Sequence, residues 1–122
     1  MRLKLFAALA FIVVVSTVSA VPVMPNAALI KGIVLESEGI SSNLLGIQPE
    51  QTIYRLLIHV ISSEDVCEMA NFVKGKEGEN MVFYTKEPLP SGIVKKGIKA
   101  RVSYRGDERG GLWWMHEMEI LN

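Results

Sequence analysis

The residues in this sequence that most often carry catalysis are two histidines, His59 and His116, and one cysteine, Cys67. An active site needs a nucleophile or a metal with partners held nearby, and the usual spacings of such partners, H-x-x-x-H, C-x-x-C, G-x-S-x-G and the phosphate-binding loop, do not occur in the chain. Both histidines lie in stretches rich in apolar residues, which favours packing over zinc binding or catalysis. The sequence therefore predicts no enzyme, no metal and no cofactor.

The predictions for the histidines and for Cys67 leave alternatives that depend on the fold. A hydrolase or metal enzyme would require the fold to bring one of the histidines next to an acid. Cys67 is predicted to be a partly buried packing residue, because acidic neighbours in the 63–70 segment disfavour its thiolate. A nucleophilic thiol is one alternative for Cys67. An intermolecular disulfide is another, since one cysteine cannot form a bridge within its own chain.

A second group of residues could bind a ligand instead of transforming it. Near the C-terminal end, basic side chains alternate with aromatic rings, and such rings and cations stack on sugars or bases and pair with anionic groups. The alternative is that Tyr104 and Trp114 belong to the core while the charges lie on a solvated face. The candidate ligand-binding residues are Arg101, Arg105, Asp107, Arg109, Trp113 and Trp114.

The elements that must position these candidates are two strands. Residues 98–105 and 112–121 both alternate between two side-chain faces, and the glycine-rich segment 106–111 separates them, which predicts a β-hairpin with a long connection. If Tyr104 faces Trp114, the antiparallel register fixes three further pairs. These pairs are Arg101 with Glu117, Lys99 with Glu119, and Arg105 with the Trp113 ring.

The rest of the chain predicts three more strands and one helix. Residues 28–35 form a strand with a bend at Gly32, and residues 36–51 a long loop. Residues 52–61 form a strand with apolar side chains on both faces. A hydroxyl cap and early acids predict a short helix from Ser62 to Gly75, and residues 81–85 form the remaining strand.

Together these elements predict a mainly β domain, a small five-stranded barrel or sheet with one short helix. The closing strand pair, from Gly97-Ile98-Lys99-Ala100-Arg101-Val102 to the end, resembles the end of an OB-fold barrel. The resemblance implies that the final hairpin connection borders a ligand-binding face, and that the ligand is an oligosaccharide, a peptide or an oligonucleotide.

The N-terminus predicts export. Arg2 and Lys4 precede an apolar run of 11 residues, from Leu5 to Val15, which is too short to span a bilayer, and small residues follow up to Ala20. We therefore expect a signal peptide over residues 1–20, an extended arm over residues 21–27 and one OB-like domain over residues 28–122. The exported protein is expected in the periplasm or outside the cell, with no stable membrane span once the leader is removed.

Charge narrows the range of partners. The chain has 13 basic and 13 acidic residues, and removal of the leader, which carries two of the basic ones, leaves a formal charge of about −2. This balance and export both disfavour nucleic acid as a partner. The sequence predicts an exported, non-enzymatic binding or interaction module for an oligosaccharide or a peptide. The alternative is a structural or accessory subunit that joins an envelope protein through its arm or the outer face of residues 53–61.

Overall fold

Five β-strands make up most of the computed structural model, which describes residues 24–107 and 110–121. In chain order they are β1 (Ala28–Ser41), β2 (Thr52–Asp65), β3 (Asn80–Thr85), β4 (Gly97–Asp107) and β5 (Gly110–Leu121). A 3-10 helix of four residues, Ser42–Leu45, links β1 to β2. The predicted mainly β domain with five strands is confirmed. The predicted leader and the first residues of the arm lie outside the described residues.

Hydrogen bonding closes the sheet into a barrel in the order β1-β2-β3-β5-β4. β1 pairs antiparallel with both β2 and β4, whereas β3 meets β5 in parallel at Tyr84 and Trp114. β1 reaches two neighbours because it bends at two register shifts, the first of them at Gly32. A Cβ at Gly32 would lie 2.5 Å from the carbonyl oxygen of His59, so only glycine allows this close approach. The bend predicted at Gly32 is confirmed.

The predicted loop over residues 36–51 begins too early. Residues 36–41 continue β1 and pair with residues 52–57 of β2. Their polar side chains are compatible with a strand because this end of β1 is largely solvent-exposed. Glu38 faces Arg55 there, and the Glu38 Oε1 atom lies 3.0 Å from Nη1 of Arg55.

The predicted helix from Ser62 to Gly75 is wrong. Residues 62–65 extend β2 and pair with residues 28–31 of β1, so the backbone groups that a helix would use are bonded across the sheet. The following residues form successive turns, in which the Asn71 Oδ1 atom accepts hydrogen bonds from the backbone N–H groups of Val73 and Lys74. Of the apolar residues in the 62–75 segment, only Val73 is fully buried.

The β4–β5 hairpin forms, but its register near the tip differs by one residue from the predicted one. Lys99 faces Glu119 as predicted, whereas Tyr104 faces Trp113 instead of Trp114. The ladder also continues to the last residue of β4, so the predicted connection over residues 106–111 is too long.

A β-bulge in β5 causes this shift. Two residues of β5, Glu117 and Met118, stand opposite the single Ala100 of β4, and Glu117 takes a positive φ of 54°. Successive strand residues point to opposite faces, so one extra residue exchanges the inner and outer faces beyond it. Before the bulge Trp113 and Met115 point inward, and after it Met118 packs against the core.

The core fills the barrel interior with aliphatic side chains around one phenylalanine. Every strand contributes residues whose side chains are fully buried, and the largest of them are Phe83, Ile30, Leu56, Ile58, Ile98 and Met115. Alternation along the strands leaves the outer face free for polar and aromatic groups. Within the described ranges, no helix combines the length and the apolar character that crossing a bilayer requires.

Candidate functional site

Trp113 belongs to the inner wall of the hairpin. Its ring packs edge-on against Phe83 and Tyr104, with centroids 6.1 and 5.2 Å apart. Of the two residues that the alternative placed in the core, Tyr104 is half-buried and packs against Trp113, whereas Trp114 lies on the other face of β5. Trp113 packs against the core but stays half-buried and also lines a surface cleft beside Tyr84.

Trp114 belongs to the outer wall. Its ring lies 6.1 Å from that of Tyr84 on β3, at an angle of 50°. The Nζ atom of Lys86, two residues further along, lies 5.9 Å from the centre of the Trp114 ring, within range of a cation–π interaction. The structure thus places the two tryptophans that the sequence grouped together on opposite faces of β5.

The two described candidate arginines share the outer face of β4. Arg101 Nη1 lies 3.9 Å from Glu117 Oε1, so the predicted charge pair forms although the bulge places His116 directly opposite Arg101. Arg105 is exposed and faces Leu112. The predicted stacking of Arg105 on the Trp113 ring is wrong, because the bulge turns that ring inward.

The last two candidates stand at the hairpin tip. Arg109 lies outside the described residues. Asp107 ends β4, where its backbone pairs with Gly110, and of this residue only the backbone is described. Of the six candidates, Arg105 and Trp114 line one cleft beside the hairpin, and Arg101 and Arg105 line another.

The cleft lined by Arg105 and Trp114, which we call the tip cleft, has a volume of about 520 Å³ and opens between the 3-10 helix and the β4–β5 hairpin. One wall comes from the connection that follows β1, and the other from the outer face of the hairpin. The side chains that define it are Leu44, Leu45, Ile47, Leu112, Trp114 and Arg105. The tip cleft therefore offers an apolar wall, one indole ring and one guanidinium.

The helical wall of the tip cleft is fixed by hydroxyl groups. Ser41 caps the 3-10 helix by accepting a hydrogen bond from its backbone, and Gly46 ends it with a left-handed φ of 73°. Ser42 is fully buried, and its Oγ atom accepts a hydrogen bond of 2.9 Å from the backbone N–H of Gln51. These contacts hold Leu44 in place although its side chain is 75% exposed.

A row of polar and aromatic residues leads across the outer face to Trp114. Arg55 pairs with Glu38 on one side and with Tyr84 on the other, and Tyr84 pairs with Trp114. The hydrogen bond from Arg55 to Glu38, followed by contacts with Tyr84, raises the pKa of Arg55 above its ordinary value. A permanent cation therefore borders the aromatic pair, with its charge shared with Glu38.

Both histidines lie half-exposed on the outer face beside polar groups. The Nδ1 atom of His59 lies 2.8 Å from Oδ1 of Asn80. The Nδ1 atom of His116 lies 4.0 Å from Oε2 of Glu87, and the Glu87 carboxylate accepts a hydrogen bond from the backbone N–H of Glu117 at the bulge. Among the described side chains, no three metal-ligating groups converge.

Cys67 is exposed and takes a positive φ of 49° in the turns after β2. The prediction of a partly buried packing residue is wrong, because the helix that would have turned one side of this segment toward the core does not form.

The sequence interpretation missed three residues near the tip cleft: Tyr84, Lys86 and Leu44. The alternation within residues 81–85 contained the signal for Tyr84, since it places Tyr84 on the face opposite the buried Phe83. Nothing in the local sequence pairs β3 with β5, so the meeting of Tyr84 and Trp114 required the barrel order.

No protein-family model, no curated protein and no solved structure matches this chain. The candidate site therefore rests on the geometry of the chain itself.

Proposed function

We propose that this chain is an exported, non-enzymatic binding module of the OB class, and that it binds an oligosaccharide or a peptide in the tip cleft. The observation that carries the proposal is the position of Trp114. Its partly exposed ring lies in the wall of a cleft, beside Tyr84 and Lys86, with Arg105 lining the same cleft. A ring framed by cations is a common platform for flat or anionic ligands.

The strand order supports the OB class. A closed five-stranded barrel ordered β1-β2-β3-β5-β4, with β3 and β5 parallel, is the arrangement expected of that class. In OB barrels the connections between the first two strands and between the last two border the ligand face. The 3-10 helix belongs to the first of these connections, and the described residues on either side of the second one, Gly106 and Gly110, line the same tip cleft.

The lining of the tip cleft supports an oligosaccharide or a peptide over nucleic acid. An indole ring stacks on the apolar face of a sugar or on an apolar side chain, and Leu44 and Leu112 extend that apolar surface. Arg105 is the cation in the lining, and Arg55 already shares its charge with Glu38. A phosphate backbone would need several cations along its path, and the chain has no excess of basic over acidic residues.

Export rests on the leader-like pattern of residues 1–20. N-terminal sequencing of the protein recovered from its host is expected to begin near Val21. A protein that begins at Met1 in that preparation would contradict export by a cleaved leader.

The experiment that tests the binding site is a fluorescence titration with cell-wall oligosaccharides, short peptides and oligonucleotides. We expect a saturable response to an oligosaccharide or a peptide in the natural protein and in Trp113→Phe, because the Trp113 ring faces the core. Trp114→Phe should abolish the fluorescence signal, and calorimetry on Trp114→Ala should show affinity reduced by about tenfold or more, since stacking on one ring contributes about 1–3 kcal/mol. No response to any of the three classes would contradict the proposal.

A second candidate function is a structural or accessory subunit of a cell-envelope assembly. The observation that favours it is apolar surface on the outer face of the first three strands, where Leu57 faces Val82 and both stay only half-buried. Leu35 and Ile61 are 37% and 54% exposed. Crosslinking in the host should then recover an envelope protein through this face. A monomer that crosslinks to no partner would count against this candidate.

A further inference from the structure

We propose that the exposed edge of β4 next to the hairpin tip is a second binding site, at which an extended acidic peptide adds as a strand and replaces the side chain of Asn26. The cleft along this edge differs from the tip cleft and does not include Trp114, although Arg105 and Gly106 line both. Strand addition is therefore recognised by its dependence on Asn26, and binding in the tip cleft by its dependence on Trp114.

Part of β4 has a free edge because β1 pairs with only the first residues of β4. The ladder between them ends where Ala28 of β1 faces Val102, whereas β4 continues to Asp107. In the described part of the chain, no strand covers the β1 side of residues 103–107. A row of backbone donors and acceptors at a strand edge is a template for pairing with another chain.

Asn26 occupies the first pairing position on this edge. Its Oδ1 atom accepts a hydrogen bond of 2.7 Å from the backbone N–H of Tyr104, and its Nδ2 group donates one of 2.9 Å to the Tyr104 carbonyl oxygen. One side-chain amide thus makes both bonds that a neighbouring strand would make with Tyr104. The backbone holds Asn26 there, because the N–H of Ala27 donates to the Ala70 carbonyl oxygen at 3.0 Å.

The next pairing position is Gly106. Strand backbone groups alternate in direction, so the N–H and C=O of Gly106 face the same side as those of Tyr104. A cleft of about 460 Å³ runs along this side between β4 and residues 24–27, with Met69 on the far wall. The segment from Tyr104 to Asp107 offers room for about four extended residues of a peptide, which span about 13 Å.

Charge selects an acidic partner for this edge. The cleft is lined by the guanidinium groups of Arg101 and Arg105, the carboxylate of Glu117, which pairs with Arg101, and the imidazole of His116. The added strand begins beyond the end of the β1–β4 ladder, so a carboxylate on its outward face would meet Arg105, whereas Arg101 already stands opposite Leu29 of β1. A basic strand would meet the same surface with like charge.

The first experiment uses the natural protein and two synthetic octapeptides with capped ends, one alternating valine with glutamate and one alternating valine with lysine. Amide hydrogen exchange measured by NMR should show that the N–H of Gly106 exchanges at least tenfold more slowly when the glutamate peptide is bound. The lysine peptide should leave that rate unchanged. The expected protection is local, because only the edge residues gain hydrogen-bond partners.

The second experiment compares Asn26→Ala with Asn80→Ala. Asn80 is a matched control, since its amide contacts His59 on another face of the barrel. Removing the competing amide of Asn26 should raise affinity for the glutamate peptide about tenfold, because two hydrogen bonds no longer have to be broken. Asn80→Ala should leave that affinity unchanged.

Three outcomes would overturn the proposal. A Gly106 amide that is already protected before peptide is added would mean that the chain itself fills the edge. Protection that rises with protein concentration, together with dimers in sedimentation, would assign the edge to a second copy. If Asn26→Ala proves unstable, failure of the glutamate peptide to protect Gly106 in the natural protein is decisive on its own.

Discussion

The two walls of the β4–β5 hairpin use the same residue type for different purposes. Trp113 and Trp114 are neighbours in sequence, yet the first packs against Phe83 and Tyr104 inside the barrel and the second meets Tyr84 outside it. The inner wall is built from aromatic rings that pack against one another and against the core. The outer wall is built from a ring with cations around it. The alternation of residue types in β5 does not tell which of the two tryptophans faces the core. The position of each tryptophan relative to the bulge at Glu117 does.

Removing the inner ring should have the largest effect on stability. Trp113→Ala deletes the group that joins Phe83 and Tyr104, and we expect the free energy of unfolding to fall by about 3 kcal/mol. Urea denaturation measures this change. A loss below about 1 kcal/mol would mean that Trp113 is not part of the core.

Filling the space beside the inner ring should have the next largest effect. A Cβ at Gly111 would overlap the ring of Tyr104, which itself packs against Trp113, so Gly111→Ala should cost about 2 kcal/mol. The matched control is Gly97→Ala, since a Cβ there meets its nearest atoms only at 4.0 Å and Gly97, like Gly111, does not take a positive φ. If both substitutions cost the same, overlap with the Tyr104 ring does not explain the result.

Weakening the support of the bulge should lower the free energy of unfolding less than the two substitutions above, and it should affect both faces of β5. The Glu87 carboxylate accepts a hydrogen bond from the backbone N–H of Glu117, so Glu87→Ala should cost about 1 kcal/mol and accelerate exchange of that amide. Glu87→Gln retains an acceptor oxygen and should cost less. Equal exchange rates in both variants and the natural protein would exclude Glu87 as a support of the bulge.

Removing the outer ring should have the smallest effect on stability. Trp114→Ala loses a tilted contact with Tyr84 and a contact with the Lys86 ammonium, and we expect a cost of about 0.5 kcal/mol. The same urea denaturation as for Trp113→Ala checks it. A cost as large as that of Trp113→Ala would remove the distinction between the two walls.

Much of the fold could be predicted from the sequence because alternation is a local signal. The five strands, the bend at Gly32 and the pairing of Lys99 with Glu119 follow from it. The helix after residue 62 was predicted wrongly because local capping signals cannot report that β1 lies alongside and takes up the backbone hydrogen bonds.

The candidate site could be predicted only in part, again for a physical reason. The outward direction of Arg101 and Arg105 follows from the alternation of β4, which has no bulge of its own. Assigning Trp113 and Trp114 to faces required locating the extra residue at Glu117, and no glycine or proline marks it in the sequence. The apolar wall contributed by Leu44 depends on how the 3-10 helix lies against the hairpin. This is a tertiary contact, which local sequence patterns do not encode.

The most direct test of the division between the walls uses the two indole N–H signals, since the chain has only two tryptophans. In a ¹⁵N-labelled sample titrated with cell-wall oligosaccharides and then with peptides, the Trp114 signal should shift in a saturable manner while the Trp113 signal stays nearly fixed. The signals are assigned with Trp113→Phe and Trp114→Phe. A ligand that binds yet shifts Trp113 more than Trp114, or a Trp114 signal that no ligand moves, would contradict the account.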